Sequence, residues 1–458
     1  GISLGLYRMR RHASGCVGLS LRRAASICGN RMTSSELSLL DAAQQALATQ
    51  RPVQAAALFD RAIAEDPASL PARVGRARCA MLAGDPALAV AHLEAASRIE
   101  PENAAVARSL GVALLAAGSL DAATAALERA RALQPRDPMT RLHLGQVRER
   151  QGRPRAAAQA YYRALVAAQA QGLWLDRAST PPHLQRAVLQ AMDLVDRERR
   201  AALDGVMQPL RERHGTAALG RVERCLQGHL KTLALQPLDQ QQRPRFLYFP
   251  DLPAPRYFER SLFPWIDALE AATAEVRAEA QAVLATEGAL QPFLKFDSAE
   301  QVDQYLGRGD APPSWDAFFF WRDGVRNDPN HARCPRTSAL LESLPLVRIR
   351  EHAPEICFSV LAPGTHILPH TGVSNLRVVV HLPLIVPADC AIVVGGETRA
   401  WREGEVVVFD DTYVHEAWNR GPSRRVILLM DTWNPHLSEV EREALAALVG
   451  AIGDFNRE

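Results

Sequence analysis

Between about residues 52 and 166, apolar and polar positions alternate with a helical rhythm, and the whole pattern recurs every 34 residues. Pro52, Pro86, Leu120 and Pro154 stand in register, as do Ala62, Ala96, Ala130 and Ala164, then Pro67, Pro101 and Pro135, then Gly84, Gly118 and Gly152. Small residues also recur at Ala77, Gly111 and Gly145, where two helices must approach closely, and each recurring proline follows a helix that it cannot continue. A single alanine-rich helix is the competing reading, but regularly placed Pro and Gly would break it. After about Leu173 the period fades into further helical sequence, including 186–213 and 217–235, and the polar stretch 236–245 reads as a linker. From Phe246 the texture becomes aromatic and proline-rich, with a helix predicted from Ile266 to about Thr286 and an aromatic cluster over 315–321. Beyond Val347 the rhythm changes to short β-branched runs between turns, at 356–361, 376–386, 391–394, 405–409 and 425–431. Short strands between turn signals predict a sandwich or barrel of jelly-roll type. A last helix over 438–452 opens on Ser438-x-x-Glu441, a capping box, and Gly395-Gly396 predicts a tight hairpin.

The repeat positions resemble tetratricopeptide repeats, whose period is about 34 residues. A stack of such helix pairs buries its apolar stripe between neighbours and leaves a concave face that usually binds peptide or protein. The expected organisation is multidomain α + β: an N-terminal extension over 1–31, an α-helical solenoid over 32–172, a helical cap and linker over 173–245, and a β-rich domain over 246–458.

Composition narrows the partners. With 458 residues, 47% of them apolar, the chain has ample material for a core, and its formal net charge of +2 gives no electrostatic footprint for nucleic acid or a membrane surface. No run approaches the ~20 apolar residues of a spanning helix. Seven cysteines, at 16, 28, 79, 225, 334, 357 and 390, are scattered without CxxC pairing, which points to a reducing compartment and a cytoplasmic protein. Residues 1–31 hold six arginines and no acidic residue, and Met32 opens a clean helical pattern, so Met32 is the expected start.

The chemistry concentrates after Phe358. His370 lies in Pro369-His-Thr-Gly372 and His415 in Phe409-Asp-Asp-Thr-Tyr-Val-His415, both on strand-like sequence. Neutral imidazole suits Fe(II), and non-haem iron sites usually add a carboxylate two residues after the first histidine. Here that position is Gly372. The absence leaves open a dead site, a different third ligand, or a metal that keeps an extra water, which Asp411 could hold by a hydrogen bond. Arg425 begins the apolar strand Val426-Ile-Leu-Leu-Met430, where a guanidinium can grip a carboxylate bidentately, and Ser359 on an earlier strand could donate to the same group. His352 and His366 read as wall or surface residues, and Trp315, Trp321, Trp401 and Trp433 as core.

Together, Phe358-Ser-Val-Leu-Ala-Pro-Gly-Thr-His366, Pro369-His-Thr-Gly372, the stretch from Asn375-Leu-Arg377 to His381-Leu-Pro-Leu, Phe409-Asp-Asp411, His415-Glu-Ala-Trp418 and Asp431-Thr-Trp433 resemble the aspartyl/asparaginyl β-hydroxylase family. The resemblance covers roughly residues 246–437 and is densest over the last eighty. It implies a double-stranded β-helix, Fe(II) and 2-oxoglutarate as cofactors, O2 as co-substrate, and iron held by two histidines without a triad carboxylate, so that Gly372 becomes expected. By position it implies His370 and His415 as iron ligands, Ser359 and Arg425 at the distal 2-oxoglutarate carboxylate, His381 near the iron-binding end, Arg377 facing cofactor or substrate, and Asp411 in the catalytic set. Where the family often carries a second arginine, this chain has Val379. The implied activity is β-hydroxylation of Asp or Asn in a peptide or protein bound by the helical repeats, coupled to conversion of 2-oxoglutarate to succinate and CO2. The alternatives are a sibling dioxygenase acting on a small molecule, a carrier-bound amino acid or a lipid acyl chain, and a non-catalytic scaffold with a vestigial barrel.

Overall fold

The computed structural model describes residues 34–294, 302, 304–307 and 312–457; the expected extension 1–31 and the start at Met32 lie outside them. The described chain divides into two compact units, with the boundary between Ala201 and Ala202.

The first unit is built from helix pairs: α1 (Ser34–Ala48) with α2 (Pro52–Glu65), α3 (Leu70–Leu82) with α4 (Pro86–Ile99), α5 (Ala104–Ala116) with α6 (Leu120–Leu133), and α7 (Pro138–Arg150) with α8 (Pro154–Ala170). The repeated residues explain the repeated shape. Gly84, Gly118 and Gly152 end α3, α5 and α7 at φ of 76°, 82° and 72°, a left-handed conformation that favours glycine. Each passes the chain to the next helix, which begins with Pro86, Leu120 or Pro154; proline at that position loses no hydrogen bond. Asn103 and Asp137 cap α5 and α7 by accepting backbone N–H groups.

The in-register small residues mark close helix approach. A Cβ at Gly111 would lie 2.5 Å from Leu127, and one at Gly145 would lie 2.3 Å from the Tyr161 ring. Gly145→Ala is therefore expected to destabilise the chain by about 1 to 3 kcal/mol despite alanine's higher helix propensity, because the buried Tyr161 ring has to move. Chemical denaturation of the two proteins checks this; an alanine variant as stable as the parent would contradict the packing.

The second unit begins within the long helix α9 (Gln185–Ala218), which breaks at Gly215, and continues through α10 (Gly220–His229). Where one helix was expected from Ile266, two occur, α11 (Ile266–Ala271) and α12 (Thr273–Leu284), separated at Ala272; the Thr273 hydroxyl donates to the Glu270 carbonyl. Short β1 (Gln291–Pro292) and β2 (Leu306–Gly307) precede β3 (Trp315–Arg322) and β4 (Val325–Arg326), then α13 (Asp328–Arg333) and α14 (Pro335–Ser343). Eight strands follow: β5 (Ile356–Leu361), β6 (Thr365–His370), β7 (Arg377–Ile385), β8 (Cys390–Val394), β9 (Glu397–Ala400), β10 (Val407–Phe409), β11 (His415–Asn419) and β12 (Arg425–Trp433). The closing helix α15 (Glu439–Asn456) starts at the expected box, where Ser438 and Glu441 exchange hydrogen bonds.

One antiparallel sheet has the order β1-β3-β5-β12-β7-β10, with β4 on β3, and the other β2-β6-β11-β8-β9. From β5 to β12 the chain passes back and forth between the two sheets, which gives the double-stranded β-helix. Alternation along the strands sorts the side chains. Phe358 and Val360, Val378, Val380, Leu382 and Leu384, and Val426, Leu428 and Met430 join the core that includes α11, α12 and α14. The residues between them point the other way, where Leu361, Val379 and Ile427 pack with Ile367, Ile392, Val394 and Phe409. Ser359, Arg377, His381 and Arg425 share that inner phase, so the same period that builds the core projects four polar side chains into the space between the sheets. The five described cysteines are free and buried.

Candidate active site

Strand register brings the two histidines together. His370 ends β6, His415 begins β11, and the two are direct partners across the antiparallel ladder. Their ring centroids are 4.1 Å apart. Each Nδ1 donates to the carbonyl two residues back in its own chain, His370 to Leu368 at 2.9 Å and His415 to Tyr413 at 3.0 Å. A carbonyl can only accept, so both rings carry the proton on Nδ1 and present a lone pair on Nε2. Burial, followed by the neighbouring His415, pushes the pKa of His370 down to about 4, and burial also lowers that of His415. Two neutral imidazoles in matched tautomers are what a divalent metal requires of nitrogen ligands.

Gly372 and Asp411 explain one another. A Cβ on residue 372 would lie 2.0 Å from the Asp411 carboxyl carbon, so the Asp411 carboxylate fills the place where a side chain at 372 would begin. The Gly372 amide donates to the Asp411 carbonyl at 2.5 Å and pins the two loops together. Asp411 Oδ2 accepts from Arg377 at 3.2 Å, whereas its buried Oδ1 has no partner. An unsatisfied buried carboxylate oxygen beside two metal-ready imidazoles fits an acceptor for a metal-bound water.

Arg377, read from sequence as facing cofactor or substrate, is ion-paired to Asp431 at 2.5 Å as well as to Asp411. Burial lowers its pKa, but Asp431, Asp411 and Glu355 outweigh that effect and hold it charged. It touches the site through Asp411.

Deeper between the sheets lies a second group. Arg425 is only 2% exposed, and burial lowers its pKa to about 10. Its Nη2 donates to Ser359 Oγ at 3.3 Å and its Nε has no partner. Among the described residues no carboxylate is paired with this cation. Ser359 Oγ also accepts from Trp315 Nε1 at 3.0 Å, which leaves the hydroxyl proton free to donate. The guanidinium lies 5.0 Å over the Trp401 ring, and Trp401 is itself 4% exposed with an unpaired indole N–H. His381 links the two groups. Its ring is 5.9 Å from Trp401 and 4.9 Å from Phe409, which in turn is 5.8 Å from His415. Burial, then the charge of Arg425, keeps His381 neutral, and its Nδ1 is unpaired. A buried unpaired cation with convergent spare donors, one side chain away from a metal-ready pair, fits a dicarboxylate bound by its far end to Arg425 and Ser359 and by its near end at the metal.

Trp315 and Trp401 were expected as core, and both pack in the inner cluster with Leu361, Ile392 and Phe409. The stretch 236–245, by contrast, is no linker. Gln242 is buried and donates to Asp410 at 2.7 Å, Arg243 N donates to the Thr412 carbonyl at 2.8 Å, and Arg245 N donates to the Gly372 carbonyl at 3.1 Å. His366 stands apart from the site, paired with Glu416 at 2.6 Å.

A family model described as aspartyl/asparaginyl beta-hydroxylase matches residues 270–435, and a tetratricopeptide repeat model matches 46–113 and 80–144. Aspartate beta-hydroxylase domain-containing protein 2 of Rattus norvegicus is 32% identical over 242 residues, 52% of this chain and 68% of that protein. Aspartyl/asparaginyl beta-hydroxylase of Homo sapiens is 38% identical over 135 residues, 29% of this chain and 18% of that protein. Ornithine lipid ester-linked acyl 2-hydroxylase of Rhizobium tropici is 31% identical over 192 residues, 41% of this chain and 64% of that protein. The chain thus spans about two thirds of the length of the first and the third, and a small part of the second.

Proposed function

The chain belongs to the aspartyl/asparaginyl β-hydroxylase family, and we propose that it is an Fe(II)/2-oxoglutarate-dependent dioxygenase acting on the β-carbon of Asp or Asn in a polypeptide bound through its tetratricopeptide repeats. The observation that carries this reading is the buried Arg425: a cation without a carboxylate partner, grouped with Ser359, Trp401 and His381 next to the paired His370 and His415. His370 and His415 would hold Fe(II) through Nε2, and Ser359 and Arg425 would hold the distal carboxylate of 2-oxoglutarate. Bound there, the metal and co-substrate supply the oxidising power for hydroxylation by O2, and 2-oxoglutarate leaves as succinate and CO2.

The protein's own work is orientation and exclusion of water. The backbone carbonyls of Leu368 and Tyr413 fix the imidazole tautomers. Arg377 anchors one oxygen of Asp411 and leaves the other free, where it would accept a hydrogen bond from a water on a bound metal. Phe409 packs against both His381 and His415, and Trp401 lies under Arg425, so apolar rings shield both polar groups. No residue is needed as a general base.

Trp401→Phe is expected to keep the ring over Arg425 but to remove the spare N–H donor. The KM for 2-oxoglutarate should rise by about three- to tenfold, the worth of one hydrogen bond to a carboxylate, with kcat little changed. Steady-state succinate formation checks this; an unchanged KM would remove Trp401 from the cofactor contacts.

The proposal itself is tested by supplying anaerobically prepared, Fe(II)-loaded protein with 2-oxoglutarate, O2 and pools of Asp- and Asn-containing peptides. Succinate release stimulated by particular peptides, each gaining one oxygen atom, supports it. Turnover stimulated only by acylated lipids would favour the second reading, an acyl hydroxylase of the kind that the Rhizobium relative's name describes. Iron bound with no turnover on any of these would point to a different, non-peptide substrate, and no iron binding at all would favour the scaffold.

A further inference from the structure

On the reading that the site hydroxylates an aspartyl or asparaginyl side chain, we propose that Arg245, with Arg243 beside it, is the anion-recognition element that makes this chain select aspartyl over asparaginyl substrates.

The two arginines are fixed by backbone at the two loops that flank the histidine pair. Arg245 N is bonded to Gly372, two residues after His370, and Arg243 N to Thr412, three residues before His415. Phe246 N continues the contact to the Val373 carbonyl at 2.9 Å, and the side chain of Gln242 is buried against Asp410. The segment is thereby held on both sides of the site while both guanidinium groups remain exposed. Neither has a hydrogen bond or ion pair with another described residue.

Arg221 pairs with Glu441, Arg211 with Glu223 and Arg260 with Glu270. Nor can the acidic residues of the adjoining loops serve Arg243 and Arg245. Asp411 is held by Arg377, Asp410 by Thr412 and Gln242, and Asp239 by the Tyr413 hydroxyl. Two exposed, uncompensated guanidinium groups, carried on backbone tied to the loops beside the histidine pair, call for an anion from outside the chain.

The chemistry of the substrate supplies one. Hydroxylation at the β-carbon requires that carbon at the metal, and in an aspartyl residue the carboxylate is bonded directly to it. The anion must then lie beside Gly372 and Asp411, the place to which Arg245 is tied. An asparaginyl amide offers the same shape without the charge.

The test is binding, which needs no turnover. Matched fluorescent peptide pools differing only in Asp or Asn are titrated by anisotropy against the full chain loaded with redox-inert Zn(II) and 2-oxoglutarate. The wild type should prefer the Asp pool by about tenfold, the range of a charge-assisted hydrogen bond at a partly open site. Arg245→Gln should bring the ratio close to one by weakening only the Asp pool, Arg243→Gln should do so in part, and Arg245→Lys should retain part of the preference. Equal binding of the two pools by the wild type, a preference that survives Arg245→Gln, or binding of neither pool would overturn the proposal. Succinate assays on the same proteins separate the two levels. A preference that survives Arg245→Gln in an enzyme that turns over removes the anion grip alone, whereas loss of preference in a protein that never forms succinate removes the hydroxylase reading and leaves the grip.

Discussion

His415→Ala leaves the chain folded and unable to retain Fe(II), with 2-oxoglutarate turnover down by roughly a thousandfold or more. Loss of a residue that merely orients a metal ligand already costs about 10- to 100-fold, and here one of the two proposed nitrogen ligands is removed. Folding is spared because the imidazole contributes one hydrogen bond, to the Tyr413 carbonyl, while the register of β11 is set by its pairing with both β6 and β8. Iron content after anaerobic loading and desalting, together with succinate formation, checks the prediction. His366→Ala is the comparison, since that residue lies on the same strand pair but is occupied with Glu416. Iron retention equal to wild type in His415→Ala would remove the histidine pair from the metal site.

Arg425→Gln produces an opposite pair of effects on stability and on co-substrate binding. In the free protein the buried guanidinium has a folded pKa lowered to about 10 by desolvation, below its unfolded value. The charged form is therefore destabilised by folding at every pH below about 10, and the penalty fades only as the pH rises through that value. Replacing a charge that destabilises the free protein by a neutral amide should leave it at least as stable as wild type at neutral pH. The gain on adding 2-oxoglutarate should behave in the reverse sense. Wild type at a hundred times its dissociation constant should be stabilised by about 2.7 kcal/mol, and the variant hardly at all. The KM for 2-oxoglutarate should rise by about a hundredfold or more, as expected when one partner of a buried charge pair is removed. Thermal unfolding with and without the co-substrate reads both effects. A free variant much less stable than wild type, yet still stabilised by 2-oxoglutarate, would assign Arg425 to structure alone.

These two predictions rest on different kinds of information in the chain. The solenoid was legible because its determinants are local: Gly84, Gly118 and Gly152 take a backbone conformation that favours glycine, and Pro86 and Pro154 stand at helix starts. The strands were legible because period-two alternation is also local, and that alternation placed Ser359, His381 and Arg425 on one phase. The facing of His370 and His415 needed the family resemblance as well as the motif, because their adjacency is a matter of register between strands 45 residues apart in sequence. What stayed hidden depends on pairings across the fold. Arg377 could not be assigned to Asp431 and Asp411, nor Trp401 to Arg425, without the order of the sheet. The stretch 236–245 looked like a linker because it is polar and lacks periodicity. It is ordered by single backbone bonds to Gly372 and Thr412, which leave no pattern in its own sequence. Gly372 itself changed meaning: its lack of a side chain makes room for the Asp411 carboxylate.

The central claim is that the histidine pair and the Arg425 group together run a reaction in which O2 is divided between a peptide and 2-oxoglutarate. The measurement that tests it most directly is turnover under isotopically labelled O2, with both products examined by mass spectrometry. The expected result is one labelled oxygen on the β-carbon of an aspartyl residue and one in succinate, formed in equal amounts. Hydroxylated peptide formed without succinate, or carrying oxygen that comes from water, would contradict it.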